Sequence, residues 1–215
     1  MVTQTVTLAS FAGPGYAYSF VDKSGATIEK IRSSMEVRII APVEPGDYPV
    51  VFWSHGHNSN PSGGGGSDTR AIADQGYIVI VPTHLDSLDN PDQANNFGDQ
   101  FPVDDPASTL GRIADLNFLL QMGPQLINLL NLRTAGGYSG DFSKPTIAGH
   151  SHGAFVAQLL TGVESGNPAF QGLANPAFTQ AILVSPQGNQ AEAVFGLFDN
   201  GPTSHSWRNA SSLSD

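Results

Sequence analysis

Gly149-His150-Ser151-His152-Gly153 is the segment of this chain whose residue types and spacing point most directly to chemistry. It has the form G-x-S-x-G. It follows a short apolar run, Thr146 to Ala148, and opens a stretch, Gly153 to Val163, in which Phe155, Leu159 and Val163 recur every four residues. A strand that turns sharply into a helix lifts a serine hydroxyl clear of a sheet, and glycines on either side let the turn close where a Cβ would collide. Ser151 is the expected nucleophile. The backbone N–H of His152, at the start of the helix, can donate to an oxyanion, and the helix dipole favours negative charge at the same place. Without chemistry the pattern would be a glycine-rich strand-to-helix turn.

A second segment strengthens the first. Val50-Val-Phe-Trp-Ser-His-Gly-His ends an apolar run in His55-Gly56-His57. A glycine after a histidine allows close backbone approach, and the N–H of His57 would be a second oxyanion donor. The base and the acid are harder to find. A serine nucleophile needs a base for its proton and an acid to orient that base. Beyond the G-x-S-x-G segment the histidine is His205, and the acids are Glu164, Glu192, Asp199 and Asp215. Where the serine sits on a strand-to-helix turn of this kind the chain order is nucleophile, acid, histidine, and Asp199 followed by His205 has that order, so Asp199 is the candidate acid and His205 the candidate base.

Other polar residues have plainer readings. His84 and Asp86 follow the apolar run Tyr77–Val81 and would lie at a cleft rim, in structural polar contacts or touching substrate. Arg112 and Asp115 are three apart in a helical pattern and are expected to form a local or buried ion pair. Two His-x-His pairs, His55/His57 and His150/His152, are both spaced to suit zinc if they converge. Both are already accounted for by the two turns, and no acid stands at ligand spacing, so no metal and no cofactor is expected.

The elements that must position these residues can be read from the pattern. Val2–Leu8, Met35–Ile40, Tyr48–Trp53, Tyr77–Val81, Thr146–Ala148 and Ala181–Val184 read as strands. Helices are expected over Asp68–Gln75, from a cap at Ser108 to about Met122, from Pro124 onward, and over Gly153–Val163. Asn90–Pro106, rich in Asn, Asp, Gln and Pro, reads as a long surface loop, and Gly63–Gly66 as a flexible one. Strands apolar on both faces that alternate with helices imply a mostly parallel sheet covered on both sides, with ligands at the carboxyl ends of its strands.

The 215 residues suit one domain. Their formal charge of −10 argues against a nucleic-acid partner. No cysteine is present, which rules out a thiol nucleophile and a disulfide. The N-terminus alternates like a strand and has no signal-peptide pattern, and no run reaches a membrane span. A cytoplasmic location is therefore favoured, with a secreted mature form as the alternative. Oligomeric state and substrate-binding residues are not indicated.

Tyr48-Pro-Val-Val-Phe-Trp-Ser-His-Gly, Gly76-Tyr-Ile-Val-Ile-Val-Pro-Thr-His-Leu-Asp, Arg112-Ile-Ala-Asp-Leu, Gly149-His-Ser-His-Gly and Ser185-Pro-Gln-Gly together resemble the α/β-hydrolase superfamily. The resemblance is to the group of dienelactone hydrolases, platelet-activating-factor acetylhydrolases, chlorophyllases and polyester-degrading cutinases. It implies a serine-dependent hydrolase of small or polymeric carboxylic esters, working through an acyl-enzyme. It also implies that the acid and base follow later strands than those seen here. The expectation is thus a single domain over residues 1–215 that is C-terminally incomplete, lacking the last strands of the fold. The alternative function is a truncated or degenerate hydrolase that binds esters without turnover.

Overall fold

A computed structural model describes residues 1–62, 66–96 and 98–186. Its centre is a six-stranded sheet in the order β1-β4-β6-β5-β7-β8. The strands are β1 (Thr3–Ala12), β4 (Ser34–Pro42), β5 (Asp47–Ser54), β6 (Ile78–Pro82), β7 (Ser139–His150) and β8 (Gln180–Val184). β4 runs antiparallel to both β1 and β6, whereas β6, β5, β7 and β8 are mutually parallel. This order, with its second strand reversed, is that of the α/β-hydrolase fold. Expectation and structure agree on the fold class. The expected absence of C-terminal strands concerns residues outside those described.

Period-two alternation decides which helix covers which face. Along β5, Val50 and Phe52 belong to one core, and Val51 and Trp53 to the other. β6 divides in the same way, with Ile78 and Ile80 on one side and Val79 and Val81 on the other. The first and larger core is closed by α3 (Pro106–Gln121), α4 (Gly123–Arg133) and α5 (His152–Leu160), through Leu116, Leu119, Leu126, Leu130 and Phe155. The second is closed by α1 (Gly66–Asp74) through Ala73 and Ile72. A strand buried on both faces must be apolar at every position, which is why β5 and β6 read as continuous runs.

Three local expectations are corrected. β2 (Ala17–Val21) and β3 (Thr27–Ile31) form an antiparallel hairpin that the sequence reading passed over. Its turn is closed by Asp22, whose carboxylate accepts from the N–H groups of Ser24 and Ala26. α3 is capped by Asp105 and not by Ser108. The Asp105 carboxylate accepts from the Ala107 N–H at 2.9 Å, while the Ser108 hydroxyl donates to the carbonyl of Phe101. The stretch expected to be a surface loop contains α2 (Pro91–Ala94) and the buried residues Asn90, Asp92, Gln93 and Phe101. Phe101 packs with Phe20 and Leu85 in a small core beneath the hairpin.

Candidate active site

Ser151, His55, His57, His84 and Asp86 lie where parallel strands stop, and Arg112 and Asp115 lie on α3, whereas Glu164 follows α5 and is remote from those ends in the element order. Ser151 sits between β7 and α5 with φ 52° and ψ −117°, a conformation that side chains other than glycine rarely adopt. The surrounding structure holds it there. The Ser151 N–H donates to the carbonyl of Val184 on β8 at 3.0 Å, and the Ser151 carbonyl accepts from Ala154 in the first turn of α5. The flanking glycines are sterically required. A Cβ on Gly153 would lie 1.9 Å from the carbonyl oxygen of Ser54, and one on Gly149 would lie 2.3 Å from the backbone of Gly153. The turn thus brings the start of α5 against the end of β5 at backbone contact, and Ser151 is only half-buried.

The end of β5 is held from beneath by Arg112, a fully buried residue of α3. Its guanidinium donates five hydrogen bonds, as many as it has N–H groups. Two go to the Asp86 carboxylate (3.1 and 2.6 Å), one to the Ser54 hydroxyl (2.9 Å), and one each to the carbonyls of His55 (2.5 Å) and Gly56 (3.2 Å). The Gly56 carbonyl also accepts from Nδ1–H of His55 at 2.8 Å. Among the described residues no peptide bond is cis. In a planar trans peptide the N–H opposes the C=O, so the N–H of His57 points away from Arg112 and the buried layer. Gly56 is tightly packed, since a Cβ there would lie 3.0 Å from Nδ1 of His150 and that ring would have to shift.

Below this turn lies an arrangement that resembles a catalytic triad. Nε2 of His84 is 3.1 Å from the Ser54 hydroxyl, and Nδ1 is 3.0 Å from the Asp115 carboxylate. All three residues are fully buried, so no substrate reaches Ser54. Arg112 donates to the Ser54 oxygen and Arg32 to Asp115 (3.2 Å), so the group is a structural relay between two arginines. Burial, with Arg112 beside it, pushes the pKa of His84 below its ordinary value, and that of His55 far below. Both rings are neutral and bond as single-proton donors.

Asp86 and His57 form the upper part of the network. Burial alone would raise the Asp86 pKa. The Arg112 charge and bonds from His152 and His57 outweigh it and hold the carboxyl well below the usual range. Nδ1 of His57 is 2.9 Å from Asp86 and its Nε2 is 2.6 Å from Asp99. Desolvation opposes the charged ring, but the two carboxylates prevail and its pKa is raised. His152 is the reverse case. Burial and the Arg112 charge bring its pKa down to about 4. Its Nε2 is 2.8 Å from the Thr109 hydroxyl, and its Nδ1 is 3.9 Å from Asp86.

One member of each His-x-His pair therefore does converge. Ligand-type atoms of His57, Asp86 and His152 lie within 4.8 Å of one another. The same Asp86 carboxylate receives both Arg112 bonds, so a divalent cation there would face a guanidinium at contact distance. The donor set fits an ion-pair network better than a metal centre.

Ser151 adjoins His152, and the rings of His57 and His152 lie 5.9 Å apart, so three of the expected site residues gather at one place. Asp199 and His205 lie outside the described residues. The expected Arg112–Asp115 pair is corrected. Arg112 bonds Asp86, while Asp115 bonds Arg32 and His84, because the two side chains serve different strand ends. His84 and Asp86, expected at a cleft rim, are buried beneath it. Asp99 and Thr109 were missed, since nothing in their local sequence marks them. A clue was available for Arg112 and Asp86, two charged residues in a chain with only 13% charged residues.

Neither a protein-family model nor a curated protein matches the chain. Among solved structures it is similar to esterase Est22 (TM-score 0.44, 16% identity, 74% of this chain and 39% of that one). It is also similar to esterase B of Lactobacillus rhamnosis (0.47, 20%, 74% and 46%). A third is the Pyrococcus horikoshii acylaminoacyl peptidase (0.42, 15%, 80% and 23%). The chain spans less than half the length of each. Among the described residues no helix is long and apolar enough to cross a membrane.

Proposed function

We propose that this chain is a serine hydrolase of carboxylic esters. The observation that carries the reading is the strained backbone of Ser151, held at φ 52° by glycines that have no space for a Cβ. Backbone strain of this kind persists only where the surroundings over-determine it, and it is concentrated at functional positions. In this reading Ser151 Oγ adds to the ester carbonyl carbon as its proton passes to a base. The N–H groups of His57 and His152 receive the carbonyl oxygen as it becomes an oxyanion. The tetrahedral adduct collapses, the alcohol leaves with a proton, and water releases the acid from the acyl-serine.

His55, His57 and His84 have both ring nitrogens engaged by other groups, and His152 is bonded to Thr109. Those four rings are thus engaged elsewhere, and chain order alone gives His205, with Asp199 as its acid, as the candidate base. The peptide direction at His57 supports its place as an oxyanion donor. Esterase and peptidase names among the similar structures accord with an ester substrate, and the dienelactone-hydrolase resemblance suggests a short-chain or polyester one. Steady hydrolysis of p-nitrophenyl acetate or butyrate by the chain, lost in Ser151→Ala, is the expected result. Equal turnover by the two proteins would overturn the reading.

A further inference from the structure

His57 contributes its backbone to the proposed oxyanion hole, but its side chain is placed for a separate task. Each ring nitrogen faces a carboxylate at hydrogen-bond distance: Asp86 at 2.9 Å, in the buried layer, and Asp99 at 2.6 Å, in the stretch between α2 and α3. A neutral imidazole has one N–H and can satisfy one of them. Only the imidazolium has two. The bonds therefore require a charged ring, in keeping with its raised pKa.

Asp99 is tied to the same turn by further bonds. Its carboxylate accepts from Nδ2 of Asn58 at 3.3 Å and from Nε2 of Gln93 at 2.9 Å, and Gln93 also donates to Oδ1 of Asn58 at 2.5 Å. Asn58, directly after His57, has a positive φ of 47°. The covering stretch is buttressed in turn. Gln100 accepts from the Val21 N–H of the β2–β3 hairpin, and Phe101 lies in the small core beneath that hairpin.

Resting on the reading of His57 as an oxyanion donor, we propose that the His57 side chain is a positioning residue. As an imidazolium bridging Asp86 and Asp99, it locks the His55–Asn58 turn beneath the stretch that carries Asp99 and keeps the oxyanion donor aimed. The groups that face it are Asp86 after β6, Asp99, His152 at the start of α5 and, through Asp86, Arg112 of α3. With His57 charged, the two cations balance the two carboxylates and His152 is neutral. Loss of its proton breaks the bond to Asp99. It also leaves a net negative charge beside the place where an oxyanion must form, which raises the barrier to acyl transfer.

The test is the pH dependence of Ser151 labelling by a fluorophosphonate probe, followed by mass spectrometry on the full chain, with Asp99→Asn and Asp99→Glu alongside. Asp99 is at the surface, so its replacement is not expected to unfold the protein. The labelling rate of the parent should fall on the alkaline side as His57 loses its proton. Asp99→Asn should move that limb down by about one pH unit and so lower the rate at the midpoint of the parent's alkaline limb at least threefold, and Asp99→Glu should restore most of it. The His57 ring titration, read by NMR, should move in the same direction. An alkaline limb that stays in place in Asp99→Asn overturns the proposal, whether or not the ring titration moves, and leaves Ser151 as nucleophile intact. A parent that is not labelled at Ser151 at any pH overturns the nucleophile reading, and this proposal with it.

Discussion

Arg112 shows how one side chain can set a site that it does not enter. It spends all five donors on Asp86, Ser54 and the carbonyls of His55 and Gly56, and so fixes which way the next amide points. Arg112→Met would leave the buried Asp86 charge without its guanidinium partner, with only the His57 ring to offset it. Losing one member of a buried pair costs roughly 3–5 kcal/mol, so urea unfolding should show a drop of that order. Arg112→Lys, which cannot reproduce a five-bond planar fork, should recover only part of it. Gly153→Ala tests the turn at Ser151. Its methyl would enter the Ser54 carbonyl, so low soluble yield or a depressed Tm is expected, along with loss of Ser151 labelling. Because Arg112 already occupies the Asp86 carboxylate, dialysis against EDTA should leave both Tm and ester hydrolysis unchanged. A drop in either, reversed by zinc, would show that His57, Asp86 and His152 hold a metal after all.

Between elements, the contrast is between a deep core and a thin one. β5 and β6 are sealed on both faces by α1 on one side and by α3, α4 and α5 on the other, and their ends supply the fixed half of the site. The β2–β3 hairpin and the stretch before α3 share only a small core of Phe20, Leu85 and Phe101, with Tyr18 tilted against Phe101 at a ring-centroid distance of 6.0 Å, and are otherwise joined by polar bonds such as Tyr18–Asp92 and Lys30–Asp92. Phe101→Ala should cost about 3 kcal/mol, at the low end for a buried aromatic because this small core can collapse. Hydrogen exchange should rise in the hairpin and around Asp99 while β5, β6 and β7 keep their protection. Equal loss of protection across the sheet would show that the hairpin is integral to the main core.

At the scale of the whole molecule, the buried histidines and carboxylates set the response to acid. His55, His84 and His152 have folded-state pKa values below the ordinary value. The unfolded chain therefore takes up protons first, and stability falls as pH drops below about 6.5, the ordinary histidine value. Asp86 and Asp115 are also depressed, and the stability they add above the ordinary carboxylate pKa is lost as pH falls through their folded values. His57 has the opposite sign, since its contribution is complete below the ordinary value and is lost as pH rises through its raised pKa. Three lowered histidines against one raised predict a urea midpoint that declines from pH 7 to pH 5 and drops more steeply below pH 4. A flat midpoint over pH 5–7 would mean that these rings are not buried neutral.

The sequence by itself determined the strands of the main sheet but not the β2–β3 hairpin, together with the two glycine-bearing turns and the position of Ser151. Each depends on local physics: continuous apolar runs for strands covered on both faces, and glycine where backbone must touch backbone. It also sufficed for the fold class, because alternating apolar strands and helices leave few ways to bury both faces of a sheet. The charge pairing was decided only by tertiary structure. Arg112 and Asp115, three apart on one helix, part company because strand ends distant in sequence bring Asp86 to one and Arg32 to the other. The same holds for Asp99, whose role comes from reaching across to His57, and for His55 and His152, whose neutrality comes from burial beside Arg112. Ser151 was legible because its strain is local; the network that surrounds it was not, because its bonds join elements that only the folded sheet brings together.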